Sequence, residues 1–155
     1  MHRMFHAERE FPAKEALSLL QNCEYAFLST VCPDGQPYCV PVSPVFEGKT
    51  AYIHGAHYGQ KIENIENDSR VCLCCVGNAQ RVPEKFTLLY ESVVAIGQAF
   101  VVEDIGERRH ALELLCRKYA PEQGDEIPAA AANGAGHTAI LRITLTEIHG
   151  KRKDT

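Results

Sequence analysis

A run of strand-forming residues that ends at Phe46 carries three prolines, Pro37, Pro41 and Pro44. Each proline removes a backbone N–H from the ladder, so the run cannot lie in the middle of a regular sheet. It must be bent, or paired on one side only, and its free backbone groups are then open to a ligand. Just upstream, Pro33-Asp34-Gly35 is a turn signal between two apolar runs. It predicts a hairpin from residues 24–31 into residues 38–46. In the first of these strands Tyr25, Phe27 and Val31 share one face, and Ala26, Leu28 and Thr30 the other. Glu47-Gly48-Lys49 then turns the chain into residues 50–54, for a three-stranded meander.

Elsewhere the pattern alternates between helix and strand. Residues 13–20 read as a short helix with Pro12 at a tolerated first-turn position. A second helix covers residues 61–66. Val71 to Val76 is a strand, followed by a polar connection over 77–85, and 86–102 is a long strand whose Gly97 marks a bulge or bend. Asp104 with Glu107 predicts a capping box for a helix that places Leu112, Leu115, Cys116 and Tyr119 on one face. Pro121 ends it, and residues 121–136, with Ala129 to Ala132 and three glycines, read as mobile or as a lid. Residues 137–149 alternate with Ala139, Leu141, Ile143 and Leu145 on the core side. This order is not the βαβ alternation of a doubly wound sheet. The expected class is mainly β with flanking α: a barrel of about six mostly antiparallel strands with short helices over its ends.

At 155 residues the chain is expected to form one domain, residues 1–155, with a core of its own. The net charge of −4 and pI near 6.0 argue against a general nucleic-acid binder. Lys151-Arg152-Lys153 reads as a solvated basic end. Met1 to His6 lacks the apolar run of a signal peptide and no segment approaches a membrane span, so a cytoplasmic protein is expected. The seven cysteines, an odd number without a secretory signal, do not suggest a disulfide framework. Cys72-Leu73-Cys74-Cys75 lacks the spacing of a zinc knuckle and sits in a strand, with Cys72 and Cys74 on one face and Cys75 on the other. Packing is the reading preferred for all seven, with a metal site as the alternative.

The stretch from Ala51 to Ile65 is where chemistry is expected. A strand ends in small residues and a helix opens on Gly59-Gln60-Lys61. The first turn of a helix presents unpaired N–H groups and a favourable dipole for an anion, glycine allows close approach, and Lys61 adds a full charge. His54 and His57 lie just upstream. The competing reading is a surface corner with a solvated lysine.

Taken in order, several blocks resemble the FMN-binding split-barrel superfamily, pyridoxamine-phosphate-oxidase-like, and within it the nitroimidazole-resistance-protein-like branch. They are Pro33 to Val42, Ala51 to Ala56, Gly59-Gln60-Lys61 running on through Asn67 to Cys72, Val82 to Phe86 and Tyr90 to Gly97. The resemblance implies a homodimer with FMN in the clefts at the subunit interface. It places Val40, Pro41 and Val42 against the flavin ring, His54 near the cofactor, Gly59, Gln60 and Lys61 at its phosphate, and Ser92 and Tyr90 as contributors from the long strand. Where relatives often have arginine this chain has Gln60, which donates but carries no charge, leaving Lys61 and the helix terminus to compensate.

The resemblance implies an FMN-dependent oxidoreductase that reduces small electron-poor compounds such as nitroaromatics, with His54 as its candidate catalytic residue. The flavin carries such chemistry, and no triad or carboxylate pair is needed. The alternative is a non-catalytic flavin- or haem-binding protein for storage, sensing or redox buffering, with His54 or His57 as an axial ligand. A Cys/His metal protein ranks last. No dinucleotide fingerprint is present. Nor is there a basic cluster of the kind a phosphorylated substrate would require.

Overall fold

The computed structural model describes residues 4–154; Met1 to Arg3, part of the stretch read above as lacking a signal, lie outside the described residues. The strands are β1 (Glu10–Phe11), β2 (Ala26–Val31), β3 (Pro37–Val42), β4 (Val45–Glu47), β5 (Thr50–Gly55), β6 (Arg70–Val76), β7 (Gln80–Val82), β8 (Thr87–Val101) and β9 (Ala139–Lys153). Helices α1 (Ala13–Asn22), α2 (Gln60–Asn67), α3 (Ile105–Tyr119) and α4 (Ile127–Gly134) complete the fold. Every pairing is antiparallel, and the strands follow the path β3-β2-β6-β8-β9-β5-β4, with β1 on β9 and β7 on β8.

β3 and β4 stand at opposite ends of that path, yet only Ser43 and Pro44 separate them. Three residue steps reach about 11 Å at most, whereas seven flat strands would put the two edges roughly 28 Å apart. The sheet is therefore rolled into a barrel whose seam, between β3 and β4, carries no ladder. The prolines explain the seam. β3 pairs only with β2, as its missing donors require, and Pro44 sits at the bend. The expected meander is corrected accordingly, because β2–β3 and β4–β5 are separate hairpins on opposite edges. The hairpin turn forms as expected, with Gly35 N–H donating to Cys32 O at 2.8 Å and Gly35 at a φ of +87°.

Ala26 and Leu28 of β2, Val71, Leu73 and Cys75 of β6, Val93, Ala95 and Ala99 of β8, and Leu141, Ile143 and Leu145 of β9 fill the barrel. Leu20 of α1 and Ile62 and Ile65 of α2 close it. A full Leu or Ile burial of this kind is worth roughly 1.5–3 kcal/mol. A second cluster, Val45, Tyr52, Val102, Ala111, Leu115 and Ile140, seats α3 on the outside of β5 and β9. The long strand bends where expected, with the register slipping between Ile96 and Gly97. A Cβ on Gly97 would stand 2.4 Å from Thr144 O, so the close crossing requires glycine. Asp104 Oδ1 accepts from Glu107 N–H at 2.7 Å and caps α3. The return half of the box is absent: the Glu107 carboxylate accepts from Arg142 at 3.0 Å and from Tyr52 Oη at 3.1 Å.

Three further expectations are revised. Residues 121–136, read as mobile or as a lid, hold a short turn and α4, whose Ile127 and Ala131, with Ala135 beyond its end, are buried beside α3. The alanine run is a strong helix former and Pro128 sits harmlessly in the first turn. Lys151 to Lys153 are not a loose end, because β9 continues through them, Arg152 donates to Glu91 at 2.6 Å and its guanidinium stacks 4.5 Å above Phe11. Among the cysteines, Cys75 is buried and Cys72 and Cys74 are half-buried on the opposite face, but Cys39 is exposed on edge strand β3 and so does not pack. No helix among the described residues is long and apolar enough to cross a membrane.

Candidate functional site

The helix α2 begins at Gly59, whose φ of +121° suits glycine and whose lack of a side chain leaves the helix end uncapped. The first N–H groups to turn back are those of Ile62 and Glu63, both donating to Gly59 O, so those of Gln60 and Lys61 face outward. Lys61 is half-buried and makes no ion pair or hydrogen bond among the described residues. Burial pushes its pKa down. Its Nζ lies 3.3 Å from where a Cβ on Gly55 would be, so the glycine makes room for the ammonium. A desolvated cation without a partner, beside unpaired N–H groups, is the donor set an anionic group needs.

The position of α2 is fixed from below. Gln60 Nε2 donates to Asn64 Oδ1 at 2.8 Å, and the fully buried Asn64 donates to Thr30 Oγ1 at 2.9 Å. Gln60 thus spends part of its amide inside the protein, and Lys61 is left as the formal charge at the helix start. Asn64 was not singled out from the sequence. Its signal was a polar residue between Ile62 and Ile65, on the part of the helix that turns inward.

β3 alternates as a half-buried edge strand. Val42 is buried, Val40 packs partly on the core, and Pro41 is exposed opposite Phe27. The three side chains do not share a face. What β3 offers a flat ring is its unpaired edge at the seam.

His54 is exposed, and strand alternation turns it to the opposite face of β5 from Gly55 and the Lys61 ammonium. It lines a cavity of about 400 Å³ with Ser43, Leu112, Leu115, Cys116, Tyr119 and Ala120. The apolar stripe read from α3 therefore serves as the cavity wall as well as packing. Tyr119 Oη lies 2.9 Å from both Glu24 O and Pro44 O, to either of which its one proton can be donated, and Lys118 Nζ donates to the carbonyls of Gln21, Cys23 and Pro44. These bonds, with no counterpart in the sequence reading, hold the end of α3 against the seam. His57 is exposed in the turn.

Tyr90 and Ser92 lie elsewhere. The Tyr90 ring sits 5.9 Å from Lys151 Nζ, and Ser92 pairs with Val76 and Lys151. β9 sets Val101 and Ile53 on either side of Leu141, so the Gly55 end of β5 faces the far end of β8. From Ser92 to Val101 the strand measures on the order of 30 Å, before its bend is counted. Within one chain these two residues do not join Lys61. Among the described residues, no group of three or more His, Cys, Asp or Glu could hold a metal ion.

Residues 12–152 match the family described as pyridoxamine 5′-phosphate oxidase. Comparison with curated proteins gave no match. A protein assigned to 5-nitroimidazole antibiotic resistance in Bacteroides thetaiotaomicron is similar with a TM-score of 0.76 at 23% identity, over 97% of this chain and 96% of that one. The flavocytochrome Anf3 of Azotobacter vinelandii gives 0.83 at 18% identity, over 99% and 73%. A FAD- and haem-binding protein of Mycobacterium smegmatis gives 0.80 at 18%, over 95% and 74%. At these identities the solved structures share the fold.

Proposed function

Because the chain belongs to the pyridoxamine 5′-phosphate oxidase family of FMN-binding split barrels, we propose that it binds FMN and passes electrons from it to small, flat, electron-poor compounds such as nitroaromatics. The observation that carries this reading is Lys61: a half-buried ammonium with no partner among the described residues, at an uncapped helix start, is suited to the FMN phosphate. The residues present fit the group. Lys61 and the N–H groups of Gln60 and Lys61 would hold the phosphate, and the open edge of β3 at Val40 to Val42 would meet the ring. When bound, the flavin supplies the electron transfer.

The protein's own part is to position and to exclude water. The cavity beside His54 is lined mostly by apolar side chains and contains no Lys or Arg. It suits a neutral flat molecule better than a phosphorylated one. His54 is the polar group in reach of such a molecule and can orient it or give it a proton. A homodimer with FMN at the subunit interface supplies Tyr90 and Ser92, since a second copy can bring them to a site that their own chain does not reach. Exposed apolar residues on the outer face, Phe27 at 49% and Val76 at 58%, are consistent with such an association.

The second reading, a flavin or haem binder without turnover, is favoured by the haem named for one neighbour and by the flavocytochrome. The visible spectrum of the purified protein, before and after anaerobic NAD(P)H and then a nitroaromatic, separates the two. A flavin spectrum that bleaches and returns with acceptor supports the reductase. Return no faster than for free reduced FMN favours the binder, and a haem or featureless spectrum rejects FMN.

A further inference from the structure

Lys118, in the last turn of α3, commits its ammonium to distant parts of the chain. Its Nζ donates to Gln21 O at 3.1 Å, to Cys23 O at 2.7 Å and to Pro44 O at 2.7 Å. An ammonium has three donors, so three converging carbonyls use them all. We propose that Lys118 is a positioning residue for the cavity beside His54: it sets the end of α3 against the Ser43–Pro44 link and so fixes which acceptors the cavity admits. The inference rests on the reading that this cavity holds the electron acceptor.

Two features of the fold call for such a tie. α1 has no basic residue in its own last turn, and Gln21 O is among the final carbonyls of that helix, which have no partner within it. Lys118 caps that end from 97 residues further along the chain. The Ser43–Pro44 link crosses the seam, where β3 and β4 share no ladder. Its Pro44 carbonyl is held from α3 instead, by Lys118 Nζ, and Tyr119 Oη also lies 2.9 Å from it. A compact ammonium with rotatable donors suits carbonyls that converge on one point, as the planar fork of an arginine does not.

The parts so joined are walls of the cavity. Ser43, beside Pro44, and Cys116, Tyr119 and Ala120, close to Lys118 on α3, line it together with His54. Lys118 does not line it. It lines a neighbouring polar cleft, and Ser43 and Tyr119 are walls of both hollows. Lys118 therefore acts through those walls and touches nothing bound inside. Without the tie, the last turn of α3 and the link separate and the cavity widens. A small ring is then held less well and a larger one gains entry, while electron transfer to an acceptor already seated is unaffected.

Lys118→Met keeps most of the stem and deletes the three donors. FMN-loaded protein, reduced anaerobically, is mixed in stopped flow with 4-nitrotoluene or 1-nitronaphthalene over a concentration series, which separates acceptor binding from the limiting rate. The expected result is binding of 4-nitrotoluene weakened roughly tenfold, a limiting rate close to the parent's, and a preference shifted towards 1-nitronaphthalene. Hydrogen exchange, read without any acceptor, should quicken at residues 43–46 and 116–120 and stay as it was in the barrel strands. Lys118→Gln, which can still reach two of the carbonyls, should show the same shift at smaller size, and it serves alone should the methionine variant not fold.

Leu112→Trp, which fills the cavity from another point of α3, separates the two ways of failing. A preference changed by Leu112→Trp and unchanged by Lys118→Met overturns the role of Lys118 alone. A preference unchanged by both overturns the acceptor reading and the proposal with it. A lower limiting rate with unaltered binding, or faster exchange throughout the barrel, would also overturn the proposal: the first places Lys118 in the electron-transfer step, the second makes it a residue of general stability.

Discussion

Replacing Lys61 by methionine keeps most of the stem and deletes the charge, and its effect should change sign with the ligand. In the apo protein the ammonium is half-desolvated and has no partner among the described residues, and burial lowers its pKa. A lysine whose folded pKa is lowered holds its proton less tightly folded than unfolded. The penalty is therefore fully present below the folded pKa, and it is relieved as pH rises towards the ordinary lysine value. Because the side chain is half exposed, solvent screens much of this cost. At pH 7 apo Lys61→Met should thus be as stable as the parent or slightly more so.

With FMN bound the balance reverses. A charged hydrogen bond is worth about 1.5–3 kcal/mol, which corresponds to roughly ten- to a hundredfold in affinity. Riboflavin, without the phosphate, should bind parent and variant alike. Fluorescence titration with both flavins, together with urea unfolding of apo and FMN-loaded protein, measures all four quantities. Equal losses for FMN and riboflavin would place Lys61 away from the phosphate. Loss of apo stability would show instead that the ammonium itself stabilises the apo protein and is not an uncompensated charge.

Gly97→Ala should destabilise the protein by about 1–3 kcal/mol or more, because the new Cβ meets backbone, Thr144 O at 2.4 Å, and not a movable side chain; urea unfolding reads it. Asn64→Ala removes the bonds that tie Gln60 to Thr30 and should cost about 1–3 kcal/mol, with a weaker FMN complex as α2 loosens; a variant of parental stability would show the network to be idle. His54→Ala should retain FMN yet slow oxidation of the reduced flavin by a nitroaromatic, about a hundredfold if His54 supplies a proton and less if it only orients the acceptor. Stopped-flow mixing of reduced protein with acceptor measures that step, and an unchanged rate removes His54 from it. Sedimentation at micromolar concentration should give about twice the chain mass of 17.2 kDa; a monomer that holds FMN would dismiss a shared site.

What was legible in the sequence is what is encoded locally. The alternation of Ala139, Leu141, Ile143 and Leu145, the Asp104 cap and the Pro33-Asp34-Gly35 turn each depend on neighbours a few residues apart, and the Gly97 slip shows as a glycine inside a strand-forming run although its cause, Thr144, is distant. So does the Gly59-Gln60-Lys61 helix start. The crossing of Ser43-Pro44 from one sheet edge to the other was not legible, since it is fixed by β6, β8 and β9, which have yet to appear in the chain when the link is made. The alanine run over 129–132 was misread because glycines on either side outweighed its helix propensity. Arg152 was taken for a loose cation because its partners, Glu91 and Glu15, are far away in sequence. His54 and Lys61 look adjacent in sequence; one step along β5 separates their faces.

That separation bears on how one fold can host different chemistries. Inside the barrel, side chains are committed to packing and cannot vary freely. At the seam, prolines keep β3 from pairing with β4, and an unpaired edge is where backbone stays available to a ligand. The anion-ready helix start reaches the seam region through Gly55, on one face of β5. The His54 cavity reaches it from the other face, through Ser43. A change at Lys61 alters what is held, whereas a change at His54 or along the α3 stripe alters what can approach. The two can therefore diverge independently while the strands between them stay the same.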